Sequence, residues 1–293
     1  MHQRLSELAP IDLHLHTTWS DGRWTAADLL AHVRERGFKL IAVTDHDRVD
    51  MIPQLQHLAR EQGVAVLNGV EISAAWQGQM ADVLGYGFDP EQPDLRRLVE
   101  EVREGQRANA EEVYAELLRR GYSFPERERL LAAQENRLRV AGDCGLLLLK
   151  HGYVSSWQEA LAVIRDAGYR EIKVDLAAAV NALHRSGGLA LIAHPGRGLR
   201  EPAEFTFYSP ELLDRVRAEV AFDGIEVCYP THGPELETIY EAYVRRHGLV
   251  MSAGSDSHGP PGRLPVGYPA WRCRALLERL GITVEPEAAA ADS

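Results

Sequence analysis

"PIDLHLHTTWSDG", residues 10–22, is the stretch that best indicates how this 293-residue chain folds. Asp12, His14 and His16 alternate there with aliphatic residues. In a β-strand, alternate side chains point to the same face of the sheet. We therefore expect the aliphatic side chains on the packed face and the three polar side chains together on the other. Burying a polar row without partners costs several kcal/mol, so the pattern predicts a compensating group such as a bound cation.

The composition is that of a globular protein and argues against some partners. Hydrophobic residues make up 45% of the chain, and the formal net charge is -11. Because contacts to duplex DNA need a basic surface, this charge argues against duplex DNA as a partner. A small anionic substrate is compatible with it, since a bound metal ion supplies local positive charge.

The cysteines and the shortness of the apolar segments predict a cytoplasmic protein. Cys144, Cys228 and Cys273 show no CxxC spacing, which is typical of free thiols in a reducing compartment. Residues 1–10 contain no apolar signal-peptide core, and no segment approaches 18 apolar residues. We therefore expect a cytoplasmic protein without a membrane partner.

Strand-like and helix-like patterns alternate along most of the chain. We predict strands at residues 11–16, 40–47, 64–73, 81–88, 189–195, 224–230 and 249–258, and helices at 25–37, 49–62, 175–186, 209–219, 234–247 and 270–280. In the first helix, Thr25 is the expected N-cap and Gly37 the expected stop. The alternation predicts an α/β protein built from parallel βαβ units, and about seven strands favour a barrel.

One segment interrupts this alternation. Residues 91–172 are charged and show helical spacing, as at Leu95, Leu98, Val99 and Val102, without a strand pattern. We interpret the segment as an inserted helical subdomain. The barrel domain is then discontinuous and consists of residues 8–90 and 173–285.

Metal-binding residue types stand at the ends of nearly all the predicted strands. They are His14, His16, Asp45, His46, Asp47, Glu71, His194, Asp256 and His258. Singly, each has an ordinary explanation, such as a loop histidine or an N-cap. The carboxyl ends of strands in a parallel barrel converge on one rim, so together these residues favour a polynuclear metal site. His57, His151, His184 and His247 fall on helical stretches and are expected on the surface.

The chemistry of this set favours two or three divalent ions. Mixed histidine and carboxylate ligands suit Mn²⁺, Fe²⁺ or Zn²⁺ rather than a thiolate site. At least two ions can be held, which favours hydrolysis by a metal-bridged hydroxide.

The motifs resemble those of the polymerase and histidinol phosphatase (PHP) domains of the amidohydrolase superfamily. They are "DLHLHTTWSDG", "AVTDHD", "GVEIS", "IAHPGR" and "GSDSHG", in the order and spacing of the family. The resemblance implies a distorted seven-stranded β/α barrel with up to three metals. His14, His16, Glu71 and Asp256 would hold the first ion, Glu71 and His194 the second, and Asp21, His46 and His258 the third.

The sequence departs from the family at one ligand. Many relatives carry histidine where this chain has Asp82, in "ADVLGYG", and that residue serves the second ion. Aspartate can ligate Mn²⁺, whereas the preference for Zn²⁺ weakens. We therefore expect Mn²⁺ first, with Fe²⁺ or Zn²⁺ as alternatives.

The helical insertion after "LGYG" is similar to that of a subgroup that includes 3',5'-nucleoside bisphosphate phosphatases and RNase AM-like 5'→3' exoribonucleases. The resemblance implies a metal-dependent phosphohydrolase that removes the 3'-phosphate from nucleoside 3',5'-bisphosphates through a metal-bridged hydroxide. One alternative is a 5'→3' exoribonuclease on short single-stranded RNA. Another is a catalytically silent nucleotide-binding module, and hydrolysis of C–N bonds is a remoter one.

Four further residues are candidates for binding and catalysis. Arg197, in "HPGR", and Arg23, just after Asp21, are placed in the sequence to grip a phosphate. His232, just past the strand "GIEVCYP", is a candidate to bind substrate and protonate the leaving oxygen. Asp45, at a strand end, is a further catalytic candidate.

Overall fold

The computed structural model describes residues 4–134, 136–201 and 205–287. The chain divides into two compact units, one formed by residues 1–98 and 174–293 and the other by residues 99–173. Among the described residues, no helix is both long enough and apolar enough to cross a membrane.

The regular elements follow the predicted alternation. The strands are β1 Arg4–Ser6, β2 Pro10–Leu15, β3 Leu40–Val43, β4 Val66–Ile72, β5 Ala74–Trp76, β6 Gln79–Met80, β7 Val83–Tyr86, β8 Val174–Asp175, β9 Leu189–Ile192, β10 Gly224–Cys228, β11 Val250–Ala253, β12 Tyr268–Pro269 and β13 Thr283–Glu285. The helices are α1 Ala26–Glu35, α2 Ile52–Gln62, α3 Pro93–Arg119, α4 Arg127–Leu130, α5 Ala141–Lys150, α6 Trp157–Asp166, α7 Leu176–Arg185, α8 Pro210–Arg217, α9 Pro234–His247 and α10 Arg274–Arg279. The predicted helix at 270–280 begins as a 3₁₀ turn over Ala270–Cys273.

The first unit is built on an eight-stranded sheet of order β11-β10-β9-β7-β4-β3-β2-β12. Each of the seven predicted strands contributes to this sheet, and the short β12 is the eighth. A bridge between Leu15 and Ser257 brings the chain after β11 beside β2, so the sheet nearly closes into a barrel. The fold class predicted from the sequence, an α/β barrel-like protein, is confirmed.

The sequence predicts parallel strands, and this prediction is wrong for β7. The short strand β12, which was not predicted, is also antiparallel to its neighbour. β7 runs antiparallel to both β4 and β9, and β12 runs antiparallel to β2. The connection from β4 to β7 carries only the short strands β5 and β6. A parallel crossover needs about a dozen or more residues, usually with a helix, whereas antiparallel strands accept a short connection.

Helices pack against the outside of the sheet through apolar stripes. In α1 the Thr25 side chain accepts a hydrogen bond from the backbone N–H of Asp28, which caps the helix as predicted. Leu29, Leu30 and Val33 are buried against β2 and β3. Every residue from Ile11 to Leu15 is buried, so both faces of β2 are enclosed. The polar side chains of β2 are therefore shielded from solvent.

The second unit is helical in the part that the structure describes. The C-terminal part of α3 packs with α5 and α6 around a separate apolar core. That core contains Val113, Leu117, Leu138, Leu147 and Ile164.

Candidate metal centre

The histidines and carboxylates at the strand ends converge into three overlapping groups. The first group consists of His14, His16, Glu71 and Asp256; the second of Glu71, Asp82 and His194; and the third of His16, Asp21, His46 and His258. Within each group the ligand atoms lie within 4.8 Å of one another. Glu71 is shared by the first and second groups, and His16 by the first and third. The structure therefore brings together the nine residues that the family resemblance relates to the ions. Asp45 and Asp47, which the strand ends also suggested, belong to none of the three groups, and Asp47 accepts hydrogen bonds from the N–H and the hydroxyl of Ser73.

The barrel positions these side chains because the parallel strands end at one rim. His14 lies in β2 and His16 directly after it, Glu71 lies in β4, and the segments after β9 and β11 supply His194 and Asp256. Both His194 and Asp256 have positive φ angles, 29° and 52°. Side chains other than glycine hold such a backbone at a cost of order 1–3 kcal/mol, usually at functional sites.

Short contacts hold the first group together. Nε2 of His14 lies 3.0 Å from Oε2 of Glu71 and 3.1 Å from Nε2 of His16. Nε2 of His16 lies 3.2 Å from Oδ1 of Asp256. All four side chains are buried, so they surround one point that water does not reach freely.

The second group adjoins the first through Glu71, and the third adjoins it through His16. Oε1 of Glu71 lies 3.0 Å from Nε2 of His194, while Oε2 lies 3.5 Å from Nε2 of His46. In the third group, Nε2 of His258 lies 3.0 Å from Oδ2 of Asp21. In the second group, Asp82 accepts a hydrogen bond from the backbone N–H of Ala74 at 3.3 Å.

The electrostatics of the cluster favour bound positive charge. Burial alone would lower the pKa of His14, but the carboxylates of Glu226 and Glu71 raise it well above its usual range. The pKa of His16 is raised to about 10 against the same burial effect, through Asp256 and Glu71. Burial would raise the pKa of Glu71, yet the nearby His14 and His46 hold it well below its ordinary value.

The donor set fits divalent cations. Nδ1 of His16 and Nδ1 of His46 are buried and have no hydrogen-bond partner among the residues that the structure describes. Two imidazole nitrogens meet at 3.1 Å beside one carboxylate oxygen, an arrangement that brings electron pairs together and calls for a cation between them. Imidazole and carboxylate ligands without thiolates suit Mn²⁺, Fe²⁺ or Zn²⁺.

Comparison with known proteins identifies the family. The model of the PHP domain matches residues 12–174, more than half of the chain. The chain belongs to the PHP family. It is 30% identical to a 3',5'-nucleoside bisphosphate phosphatase of Chromobacterium violaceum, over 90% of this chain and 96% of that protein.

Relatives with other activities are similar to this PHP chain to a comparable degree. A phosphoribosyl 1,2-cyclic phosphate 1,2-diphosphodiesterase of Eggerthella lenta is 30% identical over 88% of this chain and 97% of its own length. The 5'-3' exoribonuclease Rnm of Escherichia coli is 29% identical over 89% of each chain. A protein of Bifidobacterium adolescentis, provisionally assigned as a metal-dependent phosphoesterase, has the same fold, with a TM-score of 0.77, 23% identity and coverage of 97% and 98%. The chain is a metal-dependent phosphoesterase of the PHP family.

Three buried side chains outside the ligand groups support the PHP site: Glu226 and Tyr229, which the sequence did not single out, and Asp12, which belongs to the polar row of β2. Glu226, fully buried in β10, lies 2.9 Å from Nδ1 of His14. The Tyr229 hydroxyl donates a hydrogen bond to Oδ2 of Asp256 at 2.8 Å. Asp12 accepts hydrogen bonds from the backbone N–H groups of Ser255 and Val266. The sequence feature that could have indicated Glu226 is its position as the one carboxylate within the otherwise apolar strand "GIEVC".

Asp45 lies outside the three ligand groups. Its Oδ1 accepts hydrogen bonds from the Thr17 N–H at 2.8 Å and the Ser20 hydroxyl at 2.5 Å, and its Oδ2 accepts one from the Thr17 hydroxyl at 2.6 Å. Burial raises the pKa of Asp45 above its ordinary value. Because its oxygens are turned to residues 17–20, Asp45 is placed to hold the segment that carries Asp21.

His232 is buried, with both ring nitrogens in contact with the backbone. Nδ1 lies 2.9 Å from the carbonyl oxygen of Val227, and Nε2 accepts the Gly196 N–H at 3.0 Å. Burial lowers the pKa of His232, which keeps the ring neutral. These contacts anchor the loop that carries His194 and Arg197, and the proton-donor role expected from the sequence stays a prediction.

The two arginines suggested for substrate binding differ in their surroundings. Arg197 donates hydrogen bonds to Oε2 of Glu201 at 3.1 Å and to Oδ2 of Asp256 at 3.3 Å, and its guanidinium lies 3.7 Å from the centre of the Phe205 ring. Arg23 is exposed. Arg263, which the sequence did not single out, lies 3.6 Å from Oδ2 of Asp256, the oxygen that Arg197 also contacts. His57, His151, His184 and His247 lie outside the three ligand groups.

Proposed function

We propose that this protein removes the 3'-phosphate from nucleoside 3',5'-bisphosphates, for example converting adenosine 3',5'-bisphosphate to AMP and phosphate. The observation that carries the proposal is the shared carboxylate of Glu71. Its Oε1 faces His194 and its Oε2 faces His14 and His46. The similarity to the bisphosphate phosphatase of C. violaceum supports this substrate class.

We propose Mn²⁺ as the preferred ion, with Fe²⁺ or Zn²⁺ as alternatives, because the second group contains Asp82 in place of an imidazole. The first group would hold one ion through His14, His16, Glu71 and Asp256. When bound, divalent ions supply Lewis-acid polarisation of a phosphate ester.

The arginines beside the metal centre supply the contacts for a phosphate. Arg197 is fixed by Glu201, Asp256 and the ring of Phe205, and its side chain keeps 22% of its surface exposed. The side chain of Arg263 is 31% exposed. Its guanidinium lies near Oδ2 of Asp256, the same oxygen that Arg197 contacts. Two guanidinium groups on one carboxylate offer planar, charge-assisted hydrogen bonds to phosphate oxygens. Arg23, being exposed, is a third candidate.

A 5'→3' exoribonuclease acting on short RNA is the second candidate. The 29% identity to the exoribonuclease Rnm favours it, and a nucleotide phosphodiester requires the same attack of water on phosphorus. The net charge of -11 favours the smaller substrate, because binding of a longer single strand is helped by a basic groove. A silent nucleotide-binding module differs from both, since it should not turn over any phosphate ester.

The deciding experiment is a screen of the Mn²⁺-reconstituted protein. We expect phosphate release from adenosine 3',5'-bisphosphate to exceed turnover of a 5-mer RNA and of a cyclic phosphodiester. His194→Ala should abolish release while the protein stays folded, and His184→Ala, a change outside the ligand groups, should not. A well-metallated protein that releases no phosphate from any nucleotide would contradict the proposal, and faster turnover of the RNA would favour the exoribonuclease.

A further inference from the structure

Glu226 is a buried carboxylate that belongs to none of the three ligand groups. It lies in the middle of β10, and its two oxygens face two different ligand residues. Oε1 lies 2.9 Å from Nδ1 of His14, and Oε2 accepts a hydrogen bond from the backbone N–H of His194 at 2.8 Å. His14 belongs to the first group and His194 to the second. One side chain therefore contacts both groups.

The contact with His14 determines which ring nitrogen faces the ligand group. An ionised carboxylate only accepts hydrogen bonds, so Nδ1 of His14 must carry the hydrogen. In the neutral ring the lone pair then stands on Nε2, the atom that lies 3.0 Å from Glu71 Oε2. The opposite tautomer would set the Nδ1 lone pair against Oε1 of Glu226, which is repulsive.

The contact with His194 holds a strained backbone. The φ angle of His194 is 29°, and such conformations persist only where the surroundings fix them. The hydrogen bond from its N–H to Glu226 fixes one side of the residue. On the other side, its Nε2 lies 3.0 Å from Oε1 of Glu71.

The residues around this carboxylate are tightly packed, as the surroundings of Gly254 show. A Cβ atom added at Gly254 would lie 2.1 Å from Cβ of His14 and 2.7 Å from Oε1 of Glu226. Both distances are too short for non-bonded atoms, so glycine is required at this position for the carboxylate and the imidazole to meet.

We propose that Glu226 is a positioning residue that couples the first and second metal groups, by holding His14 in its Nδ1–H tautomer and His194 in its strained conformation. The inference rests on the metal-dependent function proposed above. Among the described residues, the third group has no hydrogen bond to Glu226. The third group therefore serves as an internal reference in the same protein.

The test is Glu226→Gln, with metal content as the readout. The amide has one accepting oxygen and one donating NH₂ group, so it cannot accept from both His14 and His194. We expect Mn²⁺ affinity at the first and second groups to fall about 10- to 100-fold, so that the ion of the third group is the one retained after gel filtration. Adding His258→Ala should remove that remaining ion. Glu235→Gln, an exposed change on α9, is the matched control and should bind Mn²⁺ as the wild type does.

Two results would overturn the role of Glu226. One is unchanged Mn²⁺ affinity in Glu226→Gln, and the other is an equal loss at all three groups, which would indicate a general effect on the fold. If the wild-type protein binds no Mn²⁺ at all, the proposed metal-dependent function is wrong. That result is distinguishable from a failure of the role of Glu226 alone, in which the wild type still binds Mn²⁺.

A measurement on the wild-type protein covers the case in which Glu226→Gln does not fold. In ¹⁵N-labelled, Zn²⁺-loaded protein, the imidazole spectrum should show His14 with a hydrogen on Nδ1 and its Nε2 bound to the metal. The signal is assigned by its loss in His14→Gln. A His14 ring bound through Nδ1, with the hydrogen on Nε2, is the outcome that would refute the proposal.

Discussion

Oε1 of Glu71 lies 3.0 Å from Nε2 of His194, although 123 positions of sequence separate the two residues. The other oxygen of the same carboxylate lies 3.0 Å from Nε2 of His14. Glu71 therefore stands between two imidazoles that reach the centre from β2 and from the end of β9, with one oxygen for each. A residue in this place is expected to be required for both groups at once.

Glu71→Gln should remove more function than any other single ligand substitution. The amide keeps the size of the side chain but supplies one weaker acceptor, so both groups lose their shared ligand. We expect phosphate release to fall by more than the about 100-fold typical of a residue that only supports a ligand. Glu61→Gln, an exposed change on α2, should be without effect. Activity above a tenth of the wild type in Glu71→Gln would contradict the central position of this carboxylate.

Asp82→His should change the preferred metal. Imidazole suits Zn²⁺, whereas carboxylate suits Mn²⁺, and Asp82 contributes to the second group with Glu71 and His194. In a competition between equal concentrations of both ions, we expect the variant to retain more Zn²⁺ than the wild type, measured by plasma emission. Asp89→His places the same substitution at an exposed site and controls for adventitious binding. An unchanged ratio would mean that Asp82 does not select the ion.

Gly254→Ala should destabilise the protein and impair the centre together. The added methyl would overlap the His14 side chain at 2.1 Å, and overpacking of this kind costs about 1–3 kcal/mol. Urea unfolding and Mn²⁺ binding measure the two effects. Gly142→Ala is the matched control, because a Cβ there meets its nearest neighbour at 3.6 Å and alanine favours the helix by about 1 kcal/mol. Equal stability of Gly254→Ala and the wild type would be incompatible with the packing described.

The buried cysteines predict a loss of stability at alkaline pH. Burial raises the pKa of Cys144 and of Cys228 to about 12, whereas an unfolded thiol titrates near pH 8.5. The folded state thus keeps its protons longer, so the free energy of unfolding falls as pH rises from about 8.5 towards 12. At pH 10 the loss is about 2 kcal/mol for each thiol.

Urea unfolding at pH 8 and pH 10 measures this change, with Cys228→Ala expected to show a smaller decrease than the wild type. All three cysteines are free and buried, so the native protein at pH 8 should not react with a thiol reagent that labels the unfolded chain. Rapid labelling of the native protein would contradict the burial of the thiols.

The sequence contained the metal ligands and the alternation of elements, because both depend on local patterns. A histidine or carboxylate directly after an apolar strand is visible in one stretch of chain, and the barrel brings such strand ends together. The seven predicted strands and the capping of α1 by Thr25 follow from the same local rules.

What the sequence did not reveal depends on contacts between distant residues. Glu226 and His14 are separated by 212 positions in the sequence, and the residues next to either one do not indicate that they are in contact. The direction of β7 depends on the length of the connection from β4, which a pattern of apolar residues does not encode. The hydrogen bonds of His232 to Gly196 and of Asp45 to Thr17 and Ser20 were not visible in the sequence either, and the catalytic roles of both residues stay predictions.

The bridge between Leu15 and Ser257 joins a strand near the start of the chain to a segment near its end. His14 and His16 come from the β2 side of this bridge, whereas Asp256 and His258 come from the segment after β11, so the first and third groups are complete only when the two segments meet. An intermediate in which this bridge has not formed therefore lacks two of the three ion sites, whereas the second group needs only residues from β4, from just before β7 and from just after β9.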